Sequence, residues 1–292
     1  AYYAYAPAVW VAGGLAVLAV AVSSPAAGRH VGPATLLLVA ALAVLVPVVA
    51  LVSTPSVAIV PAQRSFRLMT YNVHQGVNEG NVPALDEIAD TIAREAPDVV
   101  VLQEVVRGWM ITQQHDVLTV LAERLGMSYV FGPAIGDIYG NAVLSRFPLS
   151  DVRYVRFDRE PALRHQPRGA IVLRVADVLL IATHLDHIAG ASEVRQRQVR
   201  AMLAAWGGGS PALVAGDLNA LPGSPEMELL RAAGFRALAV DTGADQATFP
   251  ATDPRRRIDY VWGIGVTGSQ AHTVASTASD HRALVVNVRA DR

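Results

Sequence analysis

The chain has 292 residues, of which 52% are hydrophobic and only 17% charged, and its formal net charge at pH 7 is −1. This balance is more apolar and less charged than that of an ordinary soluble domain, and it excludes a general basic field that would draw the chain to nucleic acid. The sequence contains no cysteine, which excludes disulfide bonds and thiolate metal sites.

Two uncharged apolar runs near the N-terminus account for much of the hydrophobic excess. They cover residues 8–24 and 34–53, and neither shows a polar face. A helix needs about 20 apolar residues to cross a bilayer, with a lower limit of about 17. We therefore predict a transmembrane region over residues 1–53 that contains two transmembrane helices, which makes the chain a multi-pass membrane protein.

Residues 54–66 contain prolines and form a predicted linker, and residues 67–292 form a predicted folded domain. Within that domain, apolar runs of strand character alternate with helical patterns. Several of the strands are almost wholly apolar, which predicts that both faces of their sheet are covered. The helical patterns lie at residues 84–95, 116–125 and 192–206, and the strand candidates at residues 67–73, 98–105, 141–147, 170–175, 178–185, 212–218, 259–264 and 283–289.

Chemically active polar residues recur where these apolar strands begin or end. Taken singly, each has an ordinary structural explanation, such as a turn former, a helix cap or a hydrogen-bonded histidine. Their joint placement beside strands instead favours a single functional site. The residues are Asn72, Glu104, His184, Asp217, Asn219, Asp259, Asp280 and His281.

The types of residue in this set fit one kind of chemistry. Carboxylates and an asparagine amide offer the hard oxygen ligands that Mg²⁺ or Mn²⁺ prefers. Two histidines with acidic partners can stabilise phosphoryl charge or move protons near neutral pH. The sequence contains neither the H-E-x-x-H helix of zinc hydrolases nor the G-x-S-x-G elbow of serine hydrolases. The set therefore favours metal-assisted chemistry on a phosphate ester.

Seven short motifs follow one another along the predicted domain: TYNVHQG (70–76), VVLQEV (100–105), YGNAVLSRFPL (139–149), ATHLDH (182–187), GDLNALP (216–222), RIDYVW (257–262) and SDHRALVV (279–286). In this order they resemble the endonuclease/exonuclease/phosphatase superfamily, which includes pancreatic deoxyribonuclease, abasic-site endonucleases, sphingomyelinases and inositol-polyphosphate 5-phosphatases. The resemblance covers residues 66–290. It implies an α/β fold, a four-layer α/β/β/α sandwich of two mixed sheets, here preceded by the two transmembrane helices.

The resemblance also implies which residues hold the metal and which activate the attacking water. Glu104 looks like the main metal-binding carboxylate, assisted by Asn72 and Asp280, and the expected cofactor is Mg²⁺ or Mn²⁺. Asp217 resembles the residue that orients or deprotonates the attacking water, and Asn219 its neighbour in contact with the phosphate. Phosphoryl transfer relies on such positioning and on charge neutralisation more than on covalent chemistry.

The histidines of the motifs carry further implied roles. His281 resembles the histidine that stabilises the phosphoryl transition state, held in its tautomer by Asp259, and His184 resembles a second histidine facing the phosphate. As a hypothesis, Asn141 and Arg168 line the substrate pocket, with Arg168 in contact with the substrate phosphate. The last histidine of ATHLDH, at position 187, is interpreted as a loop residue.

The stretch from residue 115 to residue 149, together with the NVHQG motif, is similar to one branch of the superfamily. That branch is the C-terminal domain of fungal and animal membrane proteins that remodel the lipid part of GPI anchors, and it too follows transmembrane helices. An arginine-only basic composition indicates a bacterial chain of high GC content, so we carry over only the general activity. We predict a membrane-tethered phosphoesterase acting on a phospholipid or inositol-phosphate-like headgroup, with the bilayer as partner and an extracytoplasmic catalytic domain.

Two alternative functions stay open at this point. The first is a membrane-anchored nuclease acting on DNA or RNA, for which Arg255–Arg257 would supply local phosphate contacts. The second is a catalytically inactive domain used for binding or assembly. The presence of every acid and histidine expected from the superfamily pattern argues against an inactive domain.

Overall fold

The computed structural model of the chain describes residues 63–112, 114–158, 165–239 and 246–291. The two predicted transmembrane helices and most of the predicted linker lie outside these residues, so both remain predictions. In the described part of the chain, no helix is long and apolar enough to span a membrane.

The described residues form twelve strands and four α-helices, with short 3-10 helices at His74–Gly76 and Met110–Thr112. The strands are β1 Ser65–Asn72, β2 Val99–Val106, β3 Ser128–Ile135, β4 Tyr139–Ser145, β5 Leu149–Arg156, β6 Gly169–Val175, β7 Val178–His184, β8 Ala212–Asp217, β9 Arg236–Ala237, β10 Asp259–Ile264, β11 Val266–Val274 and β12 Ala283–Ala290. The helices are α1 Leu85–Glu95, α2 Val117–Leu125, α3 Ser192–Trp206 and α4 Pro225–Ala232.

The strands belong to two mixed sheets of six strands each. The first has the order β11-β12-β1-β2-β4-β3 and the second the order β5-β6-β7-β8-β10-β9. Each sheet contains one parallel pair near its centre, β1 with β2 and β7 with β8, and its other pairs are antiparallel. The carboxyl ends of parallel strands meet at the same edge, which is where an open sheet exposes side chains to a ligand.

Three apolar clusters divide the domain into four layers. One lies between the two sheets and includes Leu213. In the second, Ile88 of α1 and Leu121 of α2 pack on the outer face of the first sheet. In the third, Met202 of α3 and Leu230 of α4 pack on the outer face of the second sheet. Two mixed sheets with helices around them, in an α/β sandwich, confirm this part of the predicted fold.

The helix boundaries follow from local sequence signals. Helix α1 buries Ile88 and Ile92 on one face and ends before Pro97, which cannot continue a helix. Helix α2 begins after Asp116, whose carboxylate Oδ1 accepts a hydrogen bond from the backbone N–H of Thr119 at 3.2 Å. The predicted helices at 84–95, 116–125 and 192–206 agree with α1, α2 and α3. Helix α4 was not predicted, and neither were the four edge strands β3, β5, β9 and β11.

Candidate active site

The polar residues that follow the strands meet at one edge of the sandwich. Asn72 ends β1 and Glu104 lies near the end of β2, while His184 and Asp217 end β7 and β8. Asp259 opens β10 directly opposite Asp217 in the antiparallel ladder. The Asn72 side chain donates a hydrogen bond from Nδ2 to Asp217 Oδ2 at 3.2 Å and so joins the two sheets at this edge. The structure therefore places the predicted residues in one site.

Asp217 lies at the centre of the site and is buried. In addition to the Asn72 amide, its carboxylate accepts a hydrogen bond at Oδ1 from the backbone N–H of Asn219 at 2.9 Å. Burial and the neighbouring Asp259 carboxylate raise the pKa of Asp217 from 3.8 to about 7. Near neutral pH this carboxylate can therefore exchange a proton, as a general base must.

The backbone around the site adopts conformations that are rare for residues other than glycine. Glu104 and Asn219 have φ angles of 57° and 47°, in the left-handed region. Gly216, just before Asp217, has φ of +147°, and a Cβ at this position would lie 1.9 Å from the backbone oxygen of Thr183 on β7. Strained positions of this kind cluster at functional sites. Because Gly216 has no side chain, β8 can lie close to β7 just before Asp217.

His281 and Asp259 form a buried hydrogen-bonded pair. His281 Nδ1 lies 2.8 Å from Asp259 Oδ2, and Nε2 on the other side of the ring lies 3.8 Å from Asp217 Oδ2. Burial opposes a charge on the ring, but Asp259, its hydrogen bond and Asp217 outweigh burial and raise the pKa of His281 to about 10. The ring is therefore cationic at neutral pH, and its Nε2–H faces the space beside Asp217.

His184 has the opposite charge state. Burial and the adjacent Arg168 lower its pKa well below 6.5, so the ring is neutral at physiological pH. Arg168 Nη1 lies 3.1 Å from His184 Nδ1, and because a guanidinium can only donate, Nδ1 must accept. The ring proton therefore resides on Nε2, which lies 3.4 Å from Asp217 Oδ2. Asn219 Nδ2 lies 3.1 Å from the same Nε2, but an amide N–H cannot donate to a protonated nitrogen, and it donates instead to the backbone oxygen of Leu185 at 3.2 Å.

The predicted metal ligands form the side of the site nearest β1 and β2. Glu104 is partly buried and accepts a hydrogen bond from Gln75 Nε2 at 3.3 Å. Burial raises the pKa of Asp280, and the charge of Glu104 adds to the rise. Two carboxylates that offer only oxygen ligands fit a divalent cation such as Mg²⁺ or Mn²⁺. The Asn72 amide is largely engaged, because Oδ1 accepts from the backbone N–H of His74 at 3.1 Å while Nδ2 binds Asp217.

A second group of acidic and imidazole atoms also has the spacing of a metal site. Ligand atoms of Asp217, Asp259 and His281 lie within 4.8 Å of one another, and all three residues are buried. The 2.8 Å contact between His281 Nδ1 and Asp259 Oδ2 has the length of a charge-assisted hydrogen bond. We therefore interpret this group as a carboxylate–imidazolium pair beside a second carboxylate, and we assign the metal to the side of Glu104 and Asp280.

The two predicted substrate-binding residues lie in the site, and their roles remain predictions. Asn141 on β4 is buried and donates from Nδ2 to the backbone oxygen of Gly169 on β6 at 3.2 Å, so it links the two sheets. Arg168 is buried beside His184. The His184 ring separates its guanidinium from Asp217, because Nδ1 faces Arg168 and Nε2 faces Asp217.

Sequence reasoning missed several residues that complete the site. Tyr139 lies within the YGNAVLSRFPL motif, and its hydroxyl accepts a hydrogen bond from Arg168 Nη1 at 3.0 Å. Burial raises the pKa of Tyr139 to about 12. His187, interpreted as a loop residue, has its Nδ1 3.3 Å from Arg168 Nη2. Thr248 Oγ1 accepts from the backbone N–H of Asp259 at 3.3 Å, and no motif pointed to it.

Comparison with known proteins agrees with the geometry. The model of the Endonuclease/Exonuclease/phosphatase family matches residues 69–281. A solved endonuclease/exonuclease/phosphatase from Beutenbergia cavernae is 25% identical, with a TM-score of 0.62 over 78% of this chain and 72% of that chain. No curated protein matches the chain.

Two more distant structures share the fold. Humanized D. rerio TDP2 is 15% identical, with a TM-score of 0.60 over 78% of this chain and 100% of that chain. ANGEL2, a 2′,3′-cyclic phosphatase in complex with adenosine-2′,3′-vanadate, is 14% identical, with a TM-score of 0.62 over 78% of this chain and 96% of that chain. The family model covers more than half of the sequence, and the chain therefore belongs to the endonuclease/exonuclease/phosphatase family.

Proposed function

We propose that the chain is a membrane-tethered, Mg²⁺-dependent phosphoesterase that hydrolyses a phosphodiester or phosphomonoester in a phospholipid or inositol-phosphate-like headgroup. One observation carries the catalytic part of this proposal. Asp217 is surrounded by polar groups from both sheets, with the Asn72 amide at 3.2 Å, His184 Nε2 at 3.4 Å and His281 Nε2 at 3.8 Å. A buried carboxylate between a cationic and a neutral imidazole can activate water next to a site that stabilises negative charge.

The protonation states give each side chain a distinct role. Asp217, with its pKa of about 7, accepts the proton of the attacking water. His281, cationic because of Asp259, donates from Nε2 to an oxygen of the phosphoryl group. The neutral His184 adds a second N–H donor beside the same oxygen of Asp217, Oδ2. Donors fixed in place before the reaction stabilise the transition state without reorganising.

Glu104 and Asp280 would hold the divalent cation. When bound, such a cation neutralises phosphoryl oxygens and lowers the pKa of coordinated water. Asn72 connects the metal side to the catalytic side, because its amide fixes Asp217 while its backbone oxygen accepts from Ser279 Oγ at 2.7 Å. Ser279 precedes Asp280 and His281, so this bond sets the position of both residues relative to β1.

Membrane attachment supports a lipid substrate. The two apolar runs at 8–24 and 34–53 would hold the domain at a bilayer, where the local concentration of lipid headgroups is high. We place the catalytic domain on the extracytoplasmic side of that bilayer.

The nuclease alternative receives less support from the side chains at 255–257. Arg255 forms an ion pair with Asp253, and the Arg256 guanidinium lies 4.5 Å from the centre of the Phe249 ring. These arginines already have local partners, which is the ordinary behaviour of a charged turn. The name of ANGEL2 as a 2′,3′-cyclic phosphatase nevertheless makes nucleotides a useful comparison in the test.

The substrate class can be tested with the full-length protein in detergent or vesicles, supplied with Mg²⁺. The panel should contain phospholipids with different headgroups, soluble inositol phosphates, plasmid DNA, RNA and a 2′,3′-cyclic nucleotide. We expect hydrolysis of a lipid or inositol phosphate that disappears in Asp217→Ala. Ready cleavage of DNA or RNA without hydrolysis of any lipid headgroup would overturn the lipid assignment.

A further inference from the structure

Arg168 is a buried arginine without a carboxylate partner among the described residues, unlike the buried Arg195. Arg168 and Arg195 are 6% and 8% exposed. Arg195 Nε donates to the carboxylate of Glu226 at 2.9 Å. Arg168 instead contacts a phenol oxygen and two imidazole nitrogens, its Nε has no hydrogen-bond partner, and no carboxylate of the described residues forms an ion pair with it. A buried cation without an anion is costly, so this guanidinium is suited to an anion that comes from outside the chain.

The position of Arg168 separates it from the phosphate that reacts. That phosphate must lie beside Asp217, on the side of the site that His184 Nε2 faces. Arg168 Nη1 contacts Nδ1, on the other side of the same imidazole ring, and Nη2 extends away from Asp217 towards His187. An anion bound at Nη2 would therefore lie one imidazole ring away from the scissile phosphate.

His187 supplies the second donor at this position. Its ring is exposed, and Nδ1 lies 3.3 Å from Arg168 Nη2. Because the guanidinium can only donate, Nδ1 accepts, and the proton of the neutral ring resides on the exposed Nε2. Burial and Arg168 lower the pKa of His187, which keeps the ring neutral at physiological pH. Arg168 thus turns the N–H of His187 outwards as a hydrogen-bond donor.

A buried network holds this pair of residues in place. The Asp186 carboxylate accepts from the backbone N–H of Ile188 at 2.9 Å and lies 2.7 Å from His165 Nδ1. Asp186 precedes His187 in the chain, and His165 lies three residues before Arg168. One carboxylate therefore fixes both segments that carry the pair. The acids whose charges act on His187 are Asp186, which is already bonded, and Glu104, which we assign to the metal.

We propose that Arg168 and His187 form a second anion subsite, which binds a second phosphate group of the substrate next to the scissile phosphate. Arginine is suited to this role because its guanidinium stays charged when buried, and here one N–H of Nη2 remains beyond the bonds to Tyr139, His184 and His187 to donate to a phosphate oxygen. The proposal rests on the phosphoesterase function proposed above and assigns it a substrate class, a headgroup that carries two neighbouring phosphates. Tyr139 and His184 act as positioning residues here, since they fix Nη1 and leave the second N–H of Nη2, beside its bond to His187, for the ligand.

The test is a binding measurement that needs no turnover. The full-length protein in detergent, carrying Asp217→Asn to prevent hydrolysis, is titrated by calorimetry with myo-inositol 4-phosphate and with myo-inositol 4,5-bisphosphate. We expect the bisphosphate to bind more tightly, and we expect His187→Ala to reduce its advantage over the monophosphate by about tenfold, the effect of losing a hydrogen bond to a charged group. Arg168→Lys, which keeps the charge but cannot contact Tyr139, His184 and His187 at the same time, should reduce the same ratio.

The matched control is His272→Ala, which removes another partly exposed histidine that is bonded to Glu95 on α1. This variant should leave the ratio unchanged. Equal affinity for the two ligands, no detectable binding of the bisphosphate at millimolar concentration, or a ratio that survives His187→Ala would each overturn the subsite. Failure of the phosphoesterase function would appear separately, as absence of hydrolysis by the unsubstituted protein.

Discussion

His281 Nδ1 lies 2.8 Å from Asp259 Oδ2, and both side chains are buried beside the catalytic edge of the sheets. This contact raises the pKa of His281 and fixes which nitrogen faces Asp217. In Asp259→Asn we expect kcat to fall on the order of 10²-fold, because the imidazolium loses its orienting charge. The alkaline limit of activity should also move to lower pH. Unchanged kcat and an unchanged alkaline limit would show that Asp259 has only a structural role.

The kcat of the unsubstituted protein should depend on pH, because one group in the site must be deprotonated while another is protonated. Asp217 must be ionised to accept a proton, so kcat should rise as pH increases through its pKa of about 7. His281 must remain protonated, so kcat should fall as pH increases through about 10. A cation bound nearby favours the ionised carboxylate and should move the acid limit to lower pH. The measurement is kcat against pH with a soluble phosphate ester, and an activity that is greatest near pH 5 would contradict both assignments.

The ionised carboxylate of Asp217 is expected to lower the free energy of unfolding, because it is buried. Its pKa in the folded protein is about 7, against an ordinary value of 3.8, so the folded state loses stability as pH rises between these two values. Asp217→Asn removes that cost and should increase the free energy of unfolding at pH 8 by on the order of 1 kcal/mol, with a smaller gain near pH 4. Urea denaturation at the two pH values checks this, with Asp90→Asn on the exposed face of α1 as control. The prediction would be refuted if the gain in free energy of unfolding caused by Asp217→Asn were smaller at pH 8 than at pH 4.

Glu104→Gln should weaken metal binding by at least about tenfold, because the substitution removes the charge of the main carboxylate ligand. Titration calorimetry with Mg²⁺ or Mn²⁺ measures the change directly. The matched control is Glu123→Gln on the exposed side of α2, which should bind the metal as the unsubstituted protein does. Equal metal affinity in Glu104→Gln and the control would require a different metal site, such as the group formed by Asp217, Asp259 and His281.

The interior of the fold was predictable from the sequence, and its edges were not. Central strands such as β2 and β8 are continuous apolar runs, because both of their faces are covered. The four missed strands, β3, β5, β9 and β11, are the edge strands of the two sheets. Strand β5 is largely exposed and carries charged residues such as Arg153. Such residues disfavour pairing of the edge strand with another chain, but they also remove the alternation of apolar residues from which a strand is predicted. Helix α4 has only eight residues and buries little apolar surface, so its periodicity is short.

The site was predictable to the extent that its residues lie in motifs at strand ends. Asp217 and His281 follow this rule. The contact of Arg168 with Tyr139 does not, because it depends on how β4 of one sheet crosses β6 of the other. Sequence spacing contains no information about that crossing. The position of Arg168 behind the His184 ring is therefore visible only in the folded structure.

The measurement that tests the central claim most directly is metal-dependent hydrolysis of a soluble phosphodiester, bis-p-nitrophenyl phosphate, by the full-length protein and by Asp217→Ala. The account predicts hydrolysis with Mg²⁺ or Mn²⁺ that EDTA abolishes, and a rate in Asp217→Ala that is lower by on the order of 10²-fold or more. The same rate in both proteins, or hydrolysis that persists in EDTA, would contradict the assignment of Asp217 and of a divalent cation to this site.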